Sequence, residues 1–114
     1  MSLIYKLLDH AAWDAALEEG VFRGSAVDLA DGFIHFSTAA QAAETARRHF
    51  SGHAGLLLVA VEAETLGAAL RWEPSRGGDL FPHLYGLLPT AAAVSTRPLA
   101  LGPDGAPDVG ELAP

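Results

Sequence analysis

The sequence predicts an α+β fold in which two helices pack on a small, mostly antiparallel sheet. Short apolar runs at 3–8 ("LIYKLL"), 33–37 ("FIHFS") and 56–61 ("LLLVAV") are typical of strands. Between them, apolar residues at helical spacing predict helices over 10–19 and 39–50. The chain has 114 residues and is 50% hydrophobic, which is enough for one hydrophobic core and too little for two.

The first predicted helix, 10–19, begins after Asp9 as its N-cap and ends at Gly20. Residues 21–32 follow with two glycines and no clear apolar period. This pattern predicts an irregular connection that leads into the second strand.

The second predicted helix, 39–50, has the stronger signal. Thr38 and Gln41, three residues apart, match a capping box, in which each side chain bonds the backbone N–H of the other residue. The residues at helical spacing that predict its buried stripe are Ala39, Ala42, Ala43, Ala46 and Phe50.

The rest of the chain reads as extended segments joined by turns. Residues 64–70 predict a turn, 88–94 a short helical turn that begins near a proline, and 94–101 a last strand. We expect residues 1–101 to form one α+β domain and the Gly-, Pro- and acid-rich segment 102–114 to be a flexible tail.

The composition excludes several classes of function. A formal net charge of −7 argues against a nucleic-acid binder that neutralises phosphates. The absence of cysteine excludes zinc–thiolate sites and thiol chemistry, and it fits a reducing cytoplasm. The N-terminus does not read as a signal peptide, and the longest apolar run, 55–61, is far too short to cross a membrane. We therefore expect a soluble cytoplasmic protein without nucleic-acid or membrane partners.

Two polar patterns predict the walls of a ligand cleft. In the second strand His35 and Ser37 lie on one face, and Thr38 follows at a helix N-terminus, which suits phosphate or carboxylate. The alternative is that Thr38 is only a cap and that His35 is hydrogen-bonded within the sheet. His83 and Tyr85 repeat the pattern, although a tyrosine commonly buries its ring and keeps its hydroxyl in water.

The loop before His83, "EPSRGGD" at 73–79, can fold tightly over a ligand because of its two glycines. Arg76 would bind an anion with its planar fork, and Glu73 would serve as a general base or bind a ribose hydroxyl pair. The alternative is a solvated turn with a surface Glu–Arg pair. The remaining predicted ligand contacts are Tyr5, Arg23 and Trp72.

The sequence predicts no metal site. His49 and His53 have the spacing of helical zinc ligands, but Gly52 interrupts the helix and no nearby Asp, Glu or Cys completes a set. No P-loop or G-x-S-x-G motif occurs either.

Three motifs closely resemble one bacterial family. They are "IYKL", "GSAVDLADGFIHFST" and "LRWEPSRGGDLFPHLYG", and the likeness covers nearly residues 3–100. The family is known as domain of unknown function 952 and has no established activity. The resemblance implies the split-sheet fold of the ADP-ribosyltransferase-like superfamily, which binds NAD in a cleft between two small sheets.

That superfamily uses an Arg-Ser-Glu or a His-Tyr-Glu triad. By resemblance, Ser37 and Thr38 match its second position and Glu73 its third. The opening strand has Tyr5 and Lys6 where an Arg or His is expected, so the triad is incomplete.

Three functions stay open from the sequence. The first is an ADP-ribosyltransferase-like enzyme in which His35, Glu73 and His83 carry catalysis and NAD is a candidate substrate. The second is a non-catalytic domain that binds a nucleotide-like or phosphate-bearing small molecule or another anion. The third is a protein-interaction module that uses the aromatic residues of 71–86.

Overall fold

Strands and helices alternate along the chain. The computed structural model describes residues 2–114, apart from the side chain of Arg76. In that range the strands are β1 (Leu3–Asp9), β2 (Val21–Phe22), β3 (Ile34–His35), β4 (Ser37–Thr38), β5 (Leu56–Glu62), β6 (Leu70–Pro74), β7 (Leu80–Leu84), β8 (Leu88–Pro89) and β9 (Ala93–Leu99). The α-helices are α1 (His10–Glu19), α2 (Ala26–Asp31) and α3 (Ala39–His49), and 3₁₀ helices span Ala63–Ala69, Arg76–Gly78 and Thr90–Ala92.

The largest sheet has four strands in the order β4-β1-β5-β9. β1 and β5 pair along their whole length, and β9 continues the sheet on the other side of β5. Both central strands are buried on both faces, which explains their nearly continuous apolar sequences. The pairings of the described strands are all antiparallel, so the predicted α+β class with an antiparallel sheet is confirmed.

The strand predicted at 33–37 is divided between two sheets. β3 pairs with β7 in a sheet of order β3-β7-β6, whereas β4 pairs with β1. Phe36 lies between them, and its backbone N–H donates to the carbonyl oxygen of Pro82 at 3.0 Å. β4 pairs with β1 only at Ile4 and Tyr5, and beyond this contact the two sheets separate.

The two predicted helices are present and begin where expected. α1 ends at Gly20, which has the left-handed φ of 91° that favours glycine. The carboxylate of Asp9 does not cap α1 but lies 2.8 Å from Nε2 of His53. At α3 the capping box is confirmed, with the backbone N–H of Thr38 donating to Oε1 of Gln41 at 3.0 Å.

The expectation of only two helices is wrong, because residues 26–31 form a third, α2. Ser25 and Asp28 form a second capping box, in which the Ser25 backbone N–H donates to Oδ2 of Asp28 at 2.9 Å. Gly32 ends the helix with a φ of 86°. A helix of six residues is too short to show an apolar period, so only the capping pattern could have predicted it.

Two apolar cores contain the side chains of the two faces of the four-stranded sheet. One includes Ile4 and residues of α1, and the other includes Leu7, Ala42 and Ala46 beneath α3. Ala43 was predicted to lie in the buried stripe of α3 but is exposed.

The C-terminal segment 102–114 packs on the sheet. Ala106 and Val109 are buried, and Val109 belongs to the core beneath α3. The hydroxyl of Tyr5 donates to the carbonyl oxygen of Ala113 at 2.6 Å. The domain boundary at residue 101 stays a prediction, but these contacts argue against a tail without tertiary packing.

We expect Val109→Ala to lower the free energy of unfolding by about 2 kcal/mol, because it removes two buried methyl groups and leaves a cavity. Val94→Ala on the exposed face of β9 is the control and is expected to change it by less than about 0.5 kcal/mol. Urea denaturation measures both. Equal, small effects of the two substitutions would show that segment 102–114 does not stabilise the fold.

Candidate functional site

A cavity of about 270 Å³ lies where β1 and β4 separate from β7. The polar residues that line it are Lys6, Asp31, His35, Ser37, Ser75 and His83, with Tyr5, Thr45 and His49. Its apolar residues are Leu7, Val27, Phe36, Phe50 and Phe81. The cavity therefore combines apolar and polar side chains, as small-molecule sites commonly do.

A buried ion pair joins β1 to α2 beside this cavity. Nζ of Lys6 lies 3.0 Å from Oδ1 and 2.9 Å from Oδ2 of Asp28, and the two side chains are only 6% and 1% exposed. Burial lowers the pKa of Lys6, and the charge of Asp28 offsets part of this effect. Burying two charges is costly unless both are paired and hydrogen-bonded, so each residue depends on the other.

Asp28 also bonds to Ser25, which precedes α2, and to His35 in β3. Its Oδ2 accepts from the backbone N–H and the hydroxyl of Ser25, at 2.9 and 3.0 Å. Its Oδ1 accepts from the backbone N–H of His35 at 3.1 Å and lies 2.6 Å from Nδ1 of that ring. Burial alone would raise the pKa of Asp28, but the hydrogen bond from His35 and the charge of Lys6 outweigh it and hold this pKa well below its usual value.

His35 is held between two carboxylates. Its Nδ1 contacts Asp28, and its Nε2 lies 2.9 Å from Oδ2 of Asp31. A neutral imidazole has one N–H and can donate to only one carboxylate, whereas an imidazolium donates to both. The arrangement is therefore suited to a protonated His35.

His83 lies directly opposite His35 in the β3–β7 pairing, with the two ring centroids 5.5 Å apart. Its Nδ1 is 2.9 Å from Oε1 of Glu73, and the hydroxyl of Tyr85 donates to the same oxygen at 2.7 Å. The hydrogen bonds from Tyr85 and His83 lower the pKa of Glu73. An ionised Glu73 only accepts, so it holds a proton on Nδ1 of His83 and leaves Nε2 as the ring nitrogen for a ligand.

An aromatic layer covers this pair of histidines. The ring of Phe33 lies 4.1 Å from that of His83, 4.5 Å from that of His35 and 5.2 Å from that of Tyr85. The guanidinium of Arg71 lies 4.6 Å from the centre of the Tyr85 ring. These contacts restrict the ring orientations, as a preorganised site requires.

The structure brings together most of the residues that the sequence singled out. His35, Ser37, His83 and Tyr5 line the cavity. Glu73 and Tyr85 adjoin it through the hydrogen bonds to Glu73.

The other predicted contacts lie apart from this group. Thr38 serves as the cap of α3, and Arg23 forms an exposed ion pair with Glu19. Trp72 is 43% exposed on β6. The predicted anion contact by Arg76 concerns a side chain outside those that the structure describes.

Sequence reasoning missed one residue on which the site depends, Asp28. A lysine at position 6 of an apolar strand was a usable signal, since a buried lysine requires an acidic partner. The capping pattern from Ser25 to Asp28 was a second signal for the position of that partner. Ser75 lies in the loop 73–79 that the two glycines predicted to fold over a ligand, and it reaches the cavity because β6 and β7 pair on either side of its turn.

Metal ligation finds no support within residues 2–114, where no group of three or more His, Asp or Glu side chains is placed to hold an ion. The two histidines at zinc-like spacing separate: His49 lines the cavity, and His53 contacts Asp9.

Comparison with known proteins identifies the family. Residues 7–96 match the model of a protein family of unknown function, DUF952. The chain belongs to this family. A crystal structure of protein CC0527 from Caulobacter crescentus is 56% identical over 95% of both chains and superposes with a TM-score of 0.93. A crystal structure of a double mutant of CC0527 gives a TM-score of 0.92, and the solution NMR structure of CC0527 gives 0.87.

These relatives establish the fold of the DUF952 chain and not its activity. No match was found among curated proteins. None of the helices within residues 2–114 has the length and apolar character that a membrane span needs. The relationship to ADP-ribosyltransferases, the cytoplasmic location and the absence of nucleic-acid partners stay predictions.

We expect Asp28→Asn to lower the free energy of unfolding by about 3–5 kcal/mol, because it leaves Lys6 charged, buried and unpaired. In Lys6→Met the remaining bonds from His35 and Ser25 still satisfy Asp28, so the loss should be smaller, about 1–3 kcal/mol. The double variant should be more stable than the sum of the single losses predicts, by about 0.5–3 kcal/mol. Asp14→Asn on the surface of α1 is the control. Strict additivity in urea denaturation would contradict a coupled pair.

The low pKa of Asp28 also predicts an acid dependence of stability. Because the folded pKa lies below the unfolded value of about 3.9, the unfolded chain binds the proton first as the pH falls. The contribution of Asp28 is therefore complete above about pH 5 and is lost progressively below about pH 4. Urea denaturation between about pH 5 and 2 should give a steeper decline for Lys6→Met than for Lys6→Met/Asp28→Asn. Parallel curves would show that Asp28 makes no such contribution.

Proposed function

We propose that this DUF952 domain binds a small, ring-containing organic molecule in the cavity beside the four-stranded and three-stranded sheets. The observation that carries the proposal is the pair of histidines, His35 and His83, that line the cavity and are each oriented by carboxylates. Ring nitrogens of histidine can act as hydrogen-bond donors or acceptors, so the two imidazoles can offer a ligand both kinds of contact.

The volume supports a ligand smaller than a dinucleotide. Sites for drug-sized molecules span roughly 300–1,000 Å³, and this cavity of about 270 Å³ lies just below that range. A nucleoside or a compound of similar size is therefore a better candidate than intact NAD. The apolar side chains that line the cavity, Phe36 and Phe81 among them, favour a planar ring.

The charges support a ligand without a phosphate. Lys6 is the lysine of the cavity wall, and Asp28 neutralises it. His35 is likewise balanced by Asp28 and Asp31, and His83 by Glu73. The described side chains therefore offer little unpaired positive charge, which a phosphate requires.

ADP-ribosyl transfer receives less support from the position of Glu73. Its carboxylate accepts from His83 and Tyr85, and Glu73 is not among the residues that line the cavity. The protein-interaction alternative retains one observation, the exposed ring of Trp72 on β6.

A ligand panel tests the proposal, with adenosine, nicotinamide riboside, ADP-ribose, NAD and inorganic phosphate as probes. The readouts are thermal shift and backbone NMR. A ligand at ten times its Kd stabilises the fold by about 1.4 kcal/mol, which raises the Tm by several degrees. We expect the nucleosides to bind and phosphate to have no effect. If no probe moves the NMR signals of residues that line the cavity, the proposed ligand class is wrong.

Ser75→Phe provides the matched variant, because Ser75 is exposed in a turn at the cavity and its backbone bond to Asp79 does not use the side chain. A phenylalanine there should obstruct the cavity and weaken binding by at least roughly tenfold, equivalent to about 1.4 kcal/mol. Ser95→Phe on the exposed β9 strand is the control and should bind normally. Equal binding by both variants would place the ligand elsewhere.

A further inference from the structure

We infer that His83 and His35 form an acid–base pair, in which His83 accepts a proton from the bound molecule through Nε2 and His35 supplies one. The inference rests on the proposed cavity ligand and adds a reaction to it. It is carried by the unequal environments of the two rings, which lie opposite each other on paired strands.

The environment of His83 selects a base. One carboxylate, Glu73, contacts Nδ1, so the neutral ring carries its proton on that nitrogen and presents the lone pair of Nε2. The hydroxyl of Tyr85 donates to the same carboxylate oxygen and holds it in place. The side chain of His83 is only 7% exposed, so the protein encloses most of the ring.

The environment of His35 selects an acid. Two carboxylates, from Asp28 and Asp31, contact its two nitrogens, which only the doubly protonated ring can satisfy. Asp28 is buried and fixed by Lys6, whereas the side chain of Asp31 is 47% exposed. The bond from Nε2 to Asp31 is therefore the one that a ligand can replace.

The reaction that this pair fits is a proton shift within one small molecule. The proton of an acidic C–H, N–H or O–H bond passes to Nε2 of His83, and the electron pair of that bond moves through the molecule to a neighbouring carbonyl or imine. The oxygen or nitrogen that receives the electrons takes the proton from Nε2 of His35. The molecule is isomerised without change of composition, and exchange of protons with water restores both rings.

In this scheme Glu73, Asp28 and Asp31 are positioning residues, since each acts through a histidine. The substrate class follows from the proposed function together with the pair: a small cyclic compound that contains a carbonyl or imine group next to an acidic proton.

The test measures the protonation state of each ring by two-dimensional NMR of the side-chain nitrogens, with the full chain near neutral pH and no ligand. We expect His83 to be neutral with its proton on Nδ1, the minor form of free histidine, and His35 to carry protons on both nitrogens. If His83 carries its proton on Nε2, or if the two rings are in the same state, the proposal fails. The result does not depend on ligand binding, so it is separable from a failure of the proposed function.

Three variants test which neighbours determine the protonation states of the two histidines: Glu73→Gln, Tyr85→Phe and Asp31→Asn. Glu73→Gln should reduce the preference of His83 for Nδ1 protonation by roughly tenfold, because the bond to a charged acceptor is lost. Tyr85→Phe leaves the Glu73–His83 bond in place and should keep the Nδ1 form. Asp31→Asn should change the signals of His35 and not those of His83. An unchanged His83 tautomer in Glu73→Gln would show that Glu73 does not position the base.

Discussion

The buried ion pair between Lys6 and Asp28 is the constraint on which the rest of the site depends. Lys6 lies in the middle of β1, and Asp28 lies in the short helix α2, so the pair attaches that helix to the central sheet. Asp28 then determines the position of His35 through both the backbone and the ring. Loss of Asp28 would leave Lys6 charged, buried and unpaired, would destabilise the fold by several kcal/mol and would also release His35.

The second constraint is the division of one extended segment between two sheets. Because Phe36 bonds to Pro82 while Ser37 pairs with Tyr5, the sheets share only a short junction and leave a cavity beyond it. β7 then places His83 directly opposite His35. The cavity and the two facing histidines thus both result from the division of this segment between the two sheets.

Much of the candidate site could be predicted from the sequence, because strand alternation is a local property. His35 with Ser37, and His83 with Glu73 nearby, were identified from short motifs, and all four lie in or next to the cavity. The role of Asp28 could not be read in the same way, since its partner Lys6 is 22 residues away. Thr38 caps α3 and Arg23 pairs with Glu19, so their predicted ligand contacts stay predictions, because a cap and a surface ion pair use the same side chains as a binding site.

The sequence by itself determined the α+β class, the capped helix α3, the apolar strand at 56–61 and the family, because these follow from local periodicity and continuous motifs. Only the tertiary structure decided which carboxylate faces which imidazole and that segment 102–114 packs on the sheet. It also decided that the strand at 33–37 serves two sheets. These features depend on contacts between residues far apart in the chain, which no local pattern encodes.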